Sequence, residues 1–326
     1  MLKNKLNSLS VVVSVFNEEA SLSNLWRELH SVLSSIHDVS FEIVFVNDGS
    51  KDNSLSVIQS IVEDNQFSKF EFIIINFSRN FGHEAAMIAG IDASKNETVV
   101  CLDADLQHPP QLIPAMIQEY NNGYEIVNTT RIKRMDNGIV KNMFSKFFYK
   151  LLNTLSEYSF EKNSSDFFLI SRRVADLLKN NFREHNRFLR GYIQTIGFTK
   201  TSIPFEAPAR AGGKSSYSLS HLIKLSFIAI FTFSNKPLRI ALFISLFFIL
   251  FTTSISVYSL FIFFFGETPP SGYTTLIIFQ SVCFTIIFLL IGILSIYFGK
   301  SLNEIRQRPI YIIESLSKKN TKEIVE

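Results

Sequence analysis

Val99-Val100-Cys101-Leu102-Asp103-Ala104-Asp105-Leu106-Gln107-His108-Pro109-Pro110 is the stretch whose reading decides the fold. It opens as a short apolar, β-branched run of strand length. Two carboxylates follow. Side chains alternate along a strand, so Asp103 and Asp105 point to the same side of its C-terminal end. Two hard oxygen ligands placed this way can hold Mg²⁺ or Mn²⁺ and leave positions open for a diphosphate. Pro109 and Pro110 stop the strand, and Pro110 suits the first position of a following helix. A bare acidic turn after a buried strand would look the same, so the rest of the chain has to decide.

Working outward, residues 1–130 alternate apolar runs with amphipathic segments. Strands are expected over 11–15, 41–46, 70–75, 99–102 and 125–128, and helices over 18–36, 54–62, 82–93 and 111–120. The alternation predicts an α/β domain with a mostly parallel, doubly wound sheet and right-handed crossovers. Ligands of such sheets sit at the C-terminal strand ends. The polar clusters fall there: Asn17-Glu18, Asn47-Asp48-Gly49-Ser50, Arg79-Asn80, Asp103 with Asp105, and Arg131. Their convergence on one edge predicts a site. Further strands are expected at 165–170 and 198–205, with helices from 172 and over 186–196.

Composition bounds the rest. The chain has 326 residues, is 47% hydrophobic and carries a net charge of +3, which is too small to argue for nucleic acid as a partner. Cys101 and Cys283 fall in apolar segments and suggest a reducing setting rather than a disulfide framework. No signal peptide is visible. Residues 139–153 read as a basic amphipathic helix, able either to lie on an anionic membrane or to pack on the core. Residues 219–233 read as another apolar-rich helix, along the membrane. Residues 240–265 and 273–298 carry no charged side chain, and each is long enough to cross the roughly 30 Å hydrocarbon layer. Lys236, Arg239, Lys300, Arg306 and Arg308 flank them, which puts both flanks and the soluble domain in the cytoplasm. The expected division is a catalytic domain over 1–217, a juxtamembrane amphipathic helix over 218–236, two membrane helices within 237–299 (238–265 and 273–298), and a cytoplasmic tail over 300–326.

Sugar transfer from a nucleoside diphosphate needs the leaving diphosphate stabilised, the nucleotide oriented and the acceptor brought in line. Asp103, Asp105 and the Gln107 carbonyl suit a metal, Asp48 suits a base or ribose, and Arg131 and Arg134 suit phosphate. Gly213-Lys214-Ser215 is not a phosphate loop, because the position that needs the first glycine is Pro208.

Val11–Glu19, Phe45–Ser54, Arg79-Asn80-Phe81-Gly82 and Asp103–Gln107 resemble the family 2 glycosyltransferases of GT-A fold. The closer resemblance is to polyprenyl-phosphate glycosyltransferases, the group of dolichol-phosphate mannose synthase, bactoprenol glucosyltransferase and undecaprenyl-phosphate aminoarabinose transferase. It extends to Asp166-Phe167, Arg187-Phe188, the loop from Arg210 to Tyr217, Phe233–Arg239 and Arg308-Pro309-Ile310-Tyr311. It implies inverting transfer of one sugar from a nucleotide sugar to a polyprenyl phosphate at the inner membrane. Ser14, Phe16, Glu18, Val46, Asp48, Asp103, Ala104 and Arg131 would bind the nucleotide sugar. Asp103, Asp105 and Gln107 would hold Mg²⁺ or Mn²⁺. Asp105 would act mainly through the metal, and Asp166 would orient the acceptor or serve as base. Arg210, Lys214 and Ser216 would meet the acceptor phosphate.

Departures from the family pattern are Ser14 for proline, Asn47 for aspartate, Phe168 for an arginine and Ser216 for a lysine. The last two bear on the acceptor side. His83 and His108 read as loop residues near the site, since hard-cation chemistry does not call for imidazole. A processive polysaccharide synthase would need a tryptophan motif, and Trp26 is the only tryptophan. A non-catalytic membrane scaffold would have had no reason to keep Asp103 and Asp105. Gly292 and Ser295 could pack membrane helices between subunits of a homo-oligomer.

Overall fold

The computed structural model describes residues 5–65, 70–132, 164–184, 189–206, 236–265 and 272–319. They form two compact units, one of residues 5–206 with 309–319 and one of residues 236–308. The expected helices over 139–153 and 219–233, together with Arg134, Arg187 and the loop carrying Arg210, Lys214 and Ser216, lie outside the described residues.

The first unit is an eight-stranded mixed sheet. Its strands are β1 (Ser8–Val15), β2 (Ser40–Asn47), β3 (Phe70–Phe77), β4 (Thr98–Asp103), β5 (Ile126–Arg131), β6 (Ser164–Ser171), β7 (Lys200–Phe205) and β8 (Ile313–Lys319), in the order β7-β5-β6-β4-β1-β2-β3-β8. β4, β1, β2 and β3 are parallel neighbours. β6 runs antiparallel between β4 and β5, and β7 pairs parallel with β5. The α/β expectation holds for seven strands within a residue or three at each end. β6 is the inversion that matters for the site. It begins on the edge where its neighbours end, so Asp166 enters the same edge as Asp103.

The helices are α1 (Glu19–Ser34), α2 (Ser54–Asp64), α3 (His83–Ala93), α4 (Ile113–Asn121), α5 (Arg172–Asn181) and α6 (Leu189–Thr195). A 3-10 turn, Pro110–Leu112, leads into α4, with Pro110 fixing its start. α1 buries Leu22, Leu25, Trp26, Leu29 and Leu33 with Phe41, Phe45, Phe70 and Phe72. α3 is buried from Ala85 to Ile91, which its small residues permit. A Cβ on Gly90 would stand 2.1 Å from Val12 Cγ1, so glycine lets α3 settle onto β1.

Residues 313–319 read from the sequence as part of a tail, yet they form β8, antiparallel to β3. Tyr311 stacks on Phe77 with ring centroids 5.2 Å apart and donates to Asp92 Oδ2 at 2.7 Å. Arg183 Nη1 donates to both oxygens of the same carboxylate, at 3.0 and 2.8 Å.

The second unit contains α7 (Lys236–Phe265) and α8 (Tyr273–Ile305). Within α8, Val282–Gly299 has a mean hydropathy of 2.5 and none of it is buried. Among the described residues this is the one helix long and apolar enough to cross a membrane, and α7 offers the shorter apolar stretch Ile240–Ile255. The expected pair of membrane helices is therefore present as helices, with one meeting that test.

Candidate active site

Parallel pairing puts Ser14 beside Asp103 in register. The Ser14 hydroxyl donates to Asp103 Oδ1 at 2.9 Å. His83, the first residue of α3, brings Nδ1 to 3.1 Å from that hydroxyl and 3.2 Å from Asp103 Oδ1. Its Nε2 lies 3.5 Å from Asp166 Oδ2. One ligand atom from each of His83, Asp103 and Asp166 falls within 4.8 Å of the others. Burial alone would lower the His83 pKa, but the carboxylates of Asp103 and Asp166 outweigh it and carry it up to about 10. The imidazole thus lies between the two carboxylates.

Asp166 is further held by Arg190, whose Nε and Nη2 donate to its two oxygens. Arg190 Nη1 donates to the Ser164 carbonyl at 3.1 Å. Burial opposes the Asp166 charge, but Arg190 and His83 prevail and hold its carboxyl far below the usual range. A carboxylate so stabilised is a poor proton acceptor and a good orienting group. Arg190 also supplies a cation beside Asp166 that Phe168, facing the core, does not. Glu84 accepts the Leu189 N–H at 3.1 Å, and burial, reinforced by Asp166, lifts its pKa to about 7.

His108 is 1% exposed. Its Nδ1 accepts the Asp103 N–H at 3.1 Å, which leaves the neutral ring its proton on Nε2, 2.7 Å from Ser165 Oγ. Burial favours this neutral form. The ring therefore ties the end of β4 to the start of β6.

Between these strands, Leu106 takes a left-handed conformation (φ 61) that turns the Gln107 N–H back to Asp105 Oδ1 at 3.0 Å. Arg131, at the end of β5, donates from Nη1 to Gln107 Oε1 at 3.2 Å. Ala104 is buried and donates its N–H to the Ser14 carbonyl at 3.2 Å. Asp103 and Asp105 together offer hard carboxylate oxygens, a donor set that fits Mg²⁺ or Mn²⁺. Asp166, with both oxygens taken by Arg190, is the less available third carboxylate.

On the other side of β1, Phe16 is 43% exposed at the strand end. Glu18 accepts Ser21 Oγ at 2.6 Å, and its N–H donates to Ser54 Oγ at 2.8 Å. Val46 is fully buried within β2, so its side chain gives a nucleotide no surface. Asp48 is 2% exposed, and its carboxylate accepts Phe81 N–H at 2.6 Å, Gly82 N–H at 2.9 Å and Asn80 Nδ2 at 2.9 Å. That carboxylate builds the 80–82 loop, and a nucleotide at this edge would meet the loop before Asp48. The structure thus gathers Ser14, Asp103, Ala104, Asp105, Gln107, Arg131 and Asp166 at one end of the sheet. It adds His83, Glu84, His108, Ser165 and Arg190, which no local sequence pattern singles out. His83 and His108, read as loop residues, are respectively the first residue of α3 and a buried link between strands.

Residues 10–179 match the family described as glycosyl transferase family 2. An uncharacterized glycosyltransferase of Bacillus subtilis, YkcC, is 34% identical over 94% of this chain and 93% of its own length. The SfII prophage-derived bactoprenol glucosyl transferase of Shigella flexneri is 32% identical over 96% of this chain and 99% of its own. Among solved structures, glucosyl-3-phosphoglycerate synthase from Mycobacterium tuberculosis aligns over 69% of this chain and 78% of that one, at 17% identity and a TM-score of 0.46.

Proposed function

The chain belongs to glycosyl transferase family 2 and is a glycosyltransferase, and from that premise we propose that it moves a single sugar, with inversion, from a UDP-linked sugar to a polyprenyl phosphate such as undecaprenyl phosphate. The observation that carries this reading is the convergence of Asp103, Asp105, Arg131 and Asp166 on one sheet edge, with Asp103 held on three sides by Ser14, His83 and His108. Relatives named bactoprenol glucosyl transferase, similar over nearly their whole length, support the acceptor class.

Asp103 and Asp105 would hold Mg²⁺ or Mn²⁺, which when bound offsets charge on the diphosphate. Arg131, brought alongside Gln107, suits the leaving phosphates, because a guanidinium matches their geometry. A phosphate oxygen of the acceptor forms the new bond to the anomeric carbon, and the diphosphate departs with the electron pair of the broken C–O bond. A phosphate monoester is already anionic near neutral pH, so no strong base is required. Asp166, ionised and locked by Arg190, orients the acceptor side. Arg210, Lys214 and Ser216 are assigned to the acceptor phosphate by family resemblance.

Chain connectivity supports a two-pass membrane unit. The chain leaves the sheet after β7 and rejoins it as β8. A sheet lies on one side of a bilayer, so the chain between those strands crosses an even number of times. One crossing by Val282–Gly299 requires a second. α7, with 30 residues, spans about 45 Å at 1.5 Å per residue and is the described helix that can provide it. The flanking Lys and Arg residues put the sheet on the cytoplasmic side.

The test is transfer of radiolabel from a panel of UDP- and GDP-sugars to undecaprenyl phosphate in detergent, with and without Mg²⁺ or Mn²⁺. Cation-dependent label in the lipid phase, lost in Asp105→Asn, is expected. A folded protein that binds nucleotide but labels no polyprenyl phosphate would overturn the acceptor. One that binds no nucleotide would be a scaffold.

A further inference from the structure

Glu314 on β8 stands 238 residues from its hydrogen-bond partner Asn76. Glu314 Oε2 accepts from Asn76 Nδ2 at 2.8 Å. Asn76 Oδ1 accepts from Asn47 Nδ2 at 2.7 Å, and Asn47 Oδ1 accepts the Ser50 N–H at 3.4 Å. Ser50 Oγ then accepts the Asn17 N–H at 2.9 Å. Asn47 and Asn76 are register partners at the ends of β2 and β3, and both are buried.

Each amide has one donating and one accepting end, whereas an ionised carboxylate only accepts. Glu314 therefore fixes the sense of the whole series. Asn76 must turn its NH₂ to Glu314 and its oxygen to Asn47. Asn47 must then donate to Asn76 and offer its oxygen to Ser50. The series ends on the 47–50 loop and on Asn17, both on the edge assigned to the nucleotide.

We propose that Glu314 is a positioning residue for the nucleotide-binding edge, acting through Asn76 and Asn47 on the 47–50 loop. The inference rests on the donor side of the proposed function. It gives the segment that follows the apolar helices a part in organising the site.

The same constraint couples two positions. In Asn47→Asp the new carboxylate cannot donate to Asn76. Asn76 can then satisfy that carboxylate or Glu314 but not both, because the two lie at opposite ends of its amide and whichever one does not face the NH₂ meets the oxygen. Glu314→Gln relieves the conflict, because the introduced amide can donate to a reversed Asn76. In the wild-type background the same amide accepts from Asn76 as Glu314 does.

The experiment uses the full-length protein in detergent. It reads amide hydrogen exchange over residues 45–54, thermal stability, and the Kd for UDP and GDP. One hydrogen bond of about 1 kcal/mol corresponds to roughly fivefold. Glu314→Ala is expected to speed exchange in this loop by about that factor and to weaken nucleotide binding similarly. Glu314→Gln recovers most of both. Asn47→Asp is expected to be worse than Glu314→Ala, and the double variant, Asn47→Asp with Glu314→Gln, better than Asn47→Asp alone. Unchanged loop exchange in Glu314→Ala, even with a lower melting temperature, would overturn the inference, as would a double variant no better than Asn47→Asp. A wild-type protein that binds neither UDP nor GDP would overturn the donor reading instead, and the exchange comparison separates the two failures.

Discussion

Asp48 Oδ2 accepts the backbone N–H of Gly82 at 2.9 Å, joining the end of β2 to the residue that opens α3. The same carboxylate holds Phe81 and Asn80, so one buried side chain sets the turn that presents His83. Asp48→Asn would keep one acceptor oxygen for these donors and leave an N–H unpaired, at about 1–3 kcal/mol. A lower melting temperature together with sugar transfer reduced at least about tenfold is expected. Unchanged stability with an altered nucleotide preference would instead mean direct contact with the base.

Gly49 and Gly90 both sit where a Cβ has no room, for different reasons. Gly49 has φ +64, and its Cβ would lie 2.5 Å from the Arg79 carbonyl carbon. Gly90 has ordinary helical geometry, and its obstacle is the Val12 side chain at 2.1 Å. Gly90→Ala is expected to cost about 1–3 kcal/mol, and Val12→Ala to recover part of it in the double variant. Gly49→Ala should cost at least as much with no side-chain remedy, because backbone blocks it. Denaturant unfolding of the four variants checks both statements.

Removal of divalent cations should abolish transfer, and either Mg²⁺ or Mn²⁺ should restore it. Asp103→Asn and Asp105→Asn are each expected to lose at least about a hundredfold in rate, the range seen when one electrostatic group is taken from a transition state. Rates measured across a cation titration would show the loss. Full activity in chelator would exclude a divalent ion from this site.

The phenol of Tyr311 gives a pH dependence with a definite sign. Burial, with the hydrogen bond to Asp92, raises its pKa from 10.0 to about 12. Between these values the folded state keeps a proton that the unfolded state has lost, so stability falls as pH rises from 10 to 12. Tyr311→Phe should be less stable than wild type below about pH 10, and the gap should narrow above it. A gap that stays constant from about pH 9 to about pH 12 would show that the phenol proton plays no part.

Seven strands were legible because β-branched and aromatic runs such as 11–15 and 70–75 have little other use in a soluble domain. β8 was not. Its sequence, IESLSKK, is mostly polar and every residue is exposed, so its pairing rests on backbone hydrogen bonds to β3 and on the Asn76–Glu314 hydrogen bond rather than on burial. Asp103 and Asp105 were legible from their spacing at the end of one apolar run, although β4 stops at Asp103 and Asp105 lies in the turn beyond it, where strand alternation no longer sets its direction. His83, His108 and Arg190 were not, since each acquires its role only when a neighbouring strand or helix is packed beside it. Arg190 lies 24 residues from Asp166, and no local pattern links them. Asp48 was found for its position at a strand end, but only the packing of the 80–82 loop reveals that its carboxylate is already satisfied.

The return of β8 to the sheet also sets a timetable for synthesis. Asn76 and Glu314 are 238 residues apart, which at 5–20 residues per second is about 12–48 s of translation. Through that interval the outer edge of β3 has no strand beside it, the condition under which sheets recruit foreign strands. The apolar helices leave the ribosome before β8 does. The sheet is therefore finished only after both apolar helices have been made, and a chain that stalls between α8 and β8 leaves the edge of β3 open.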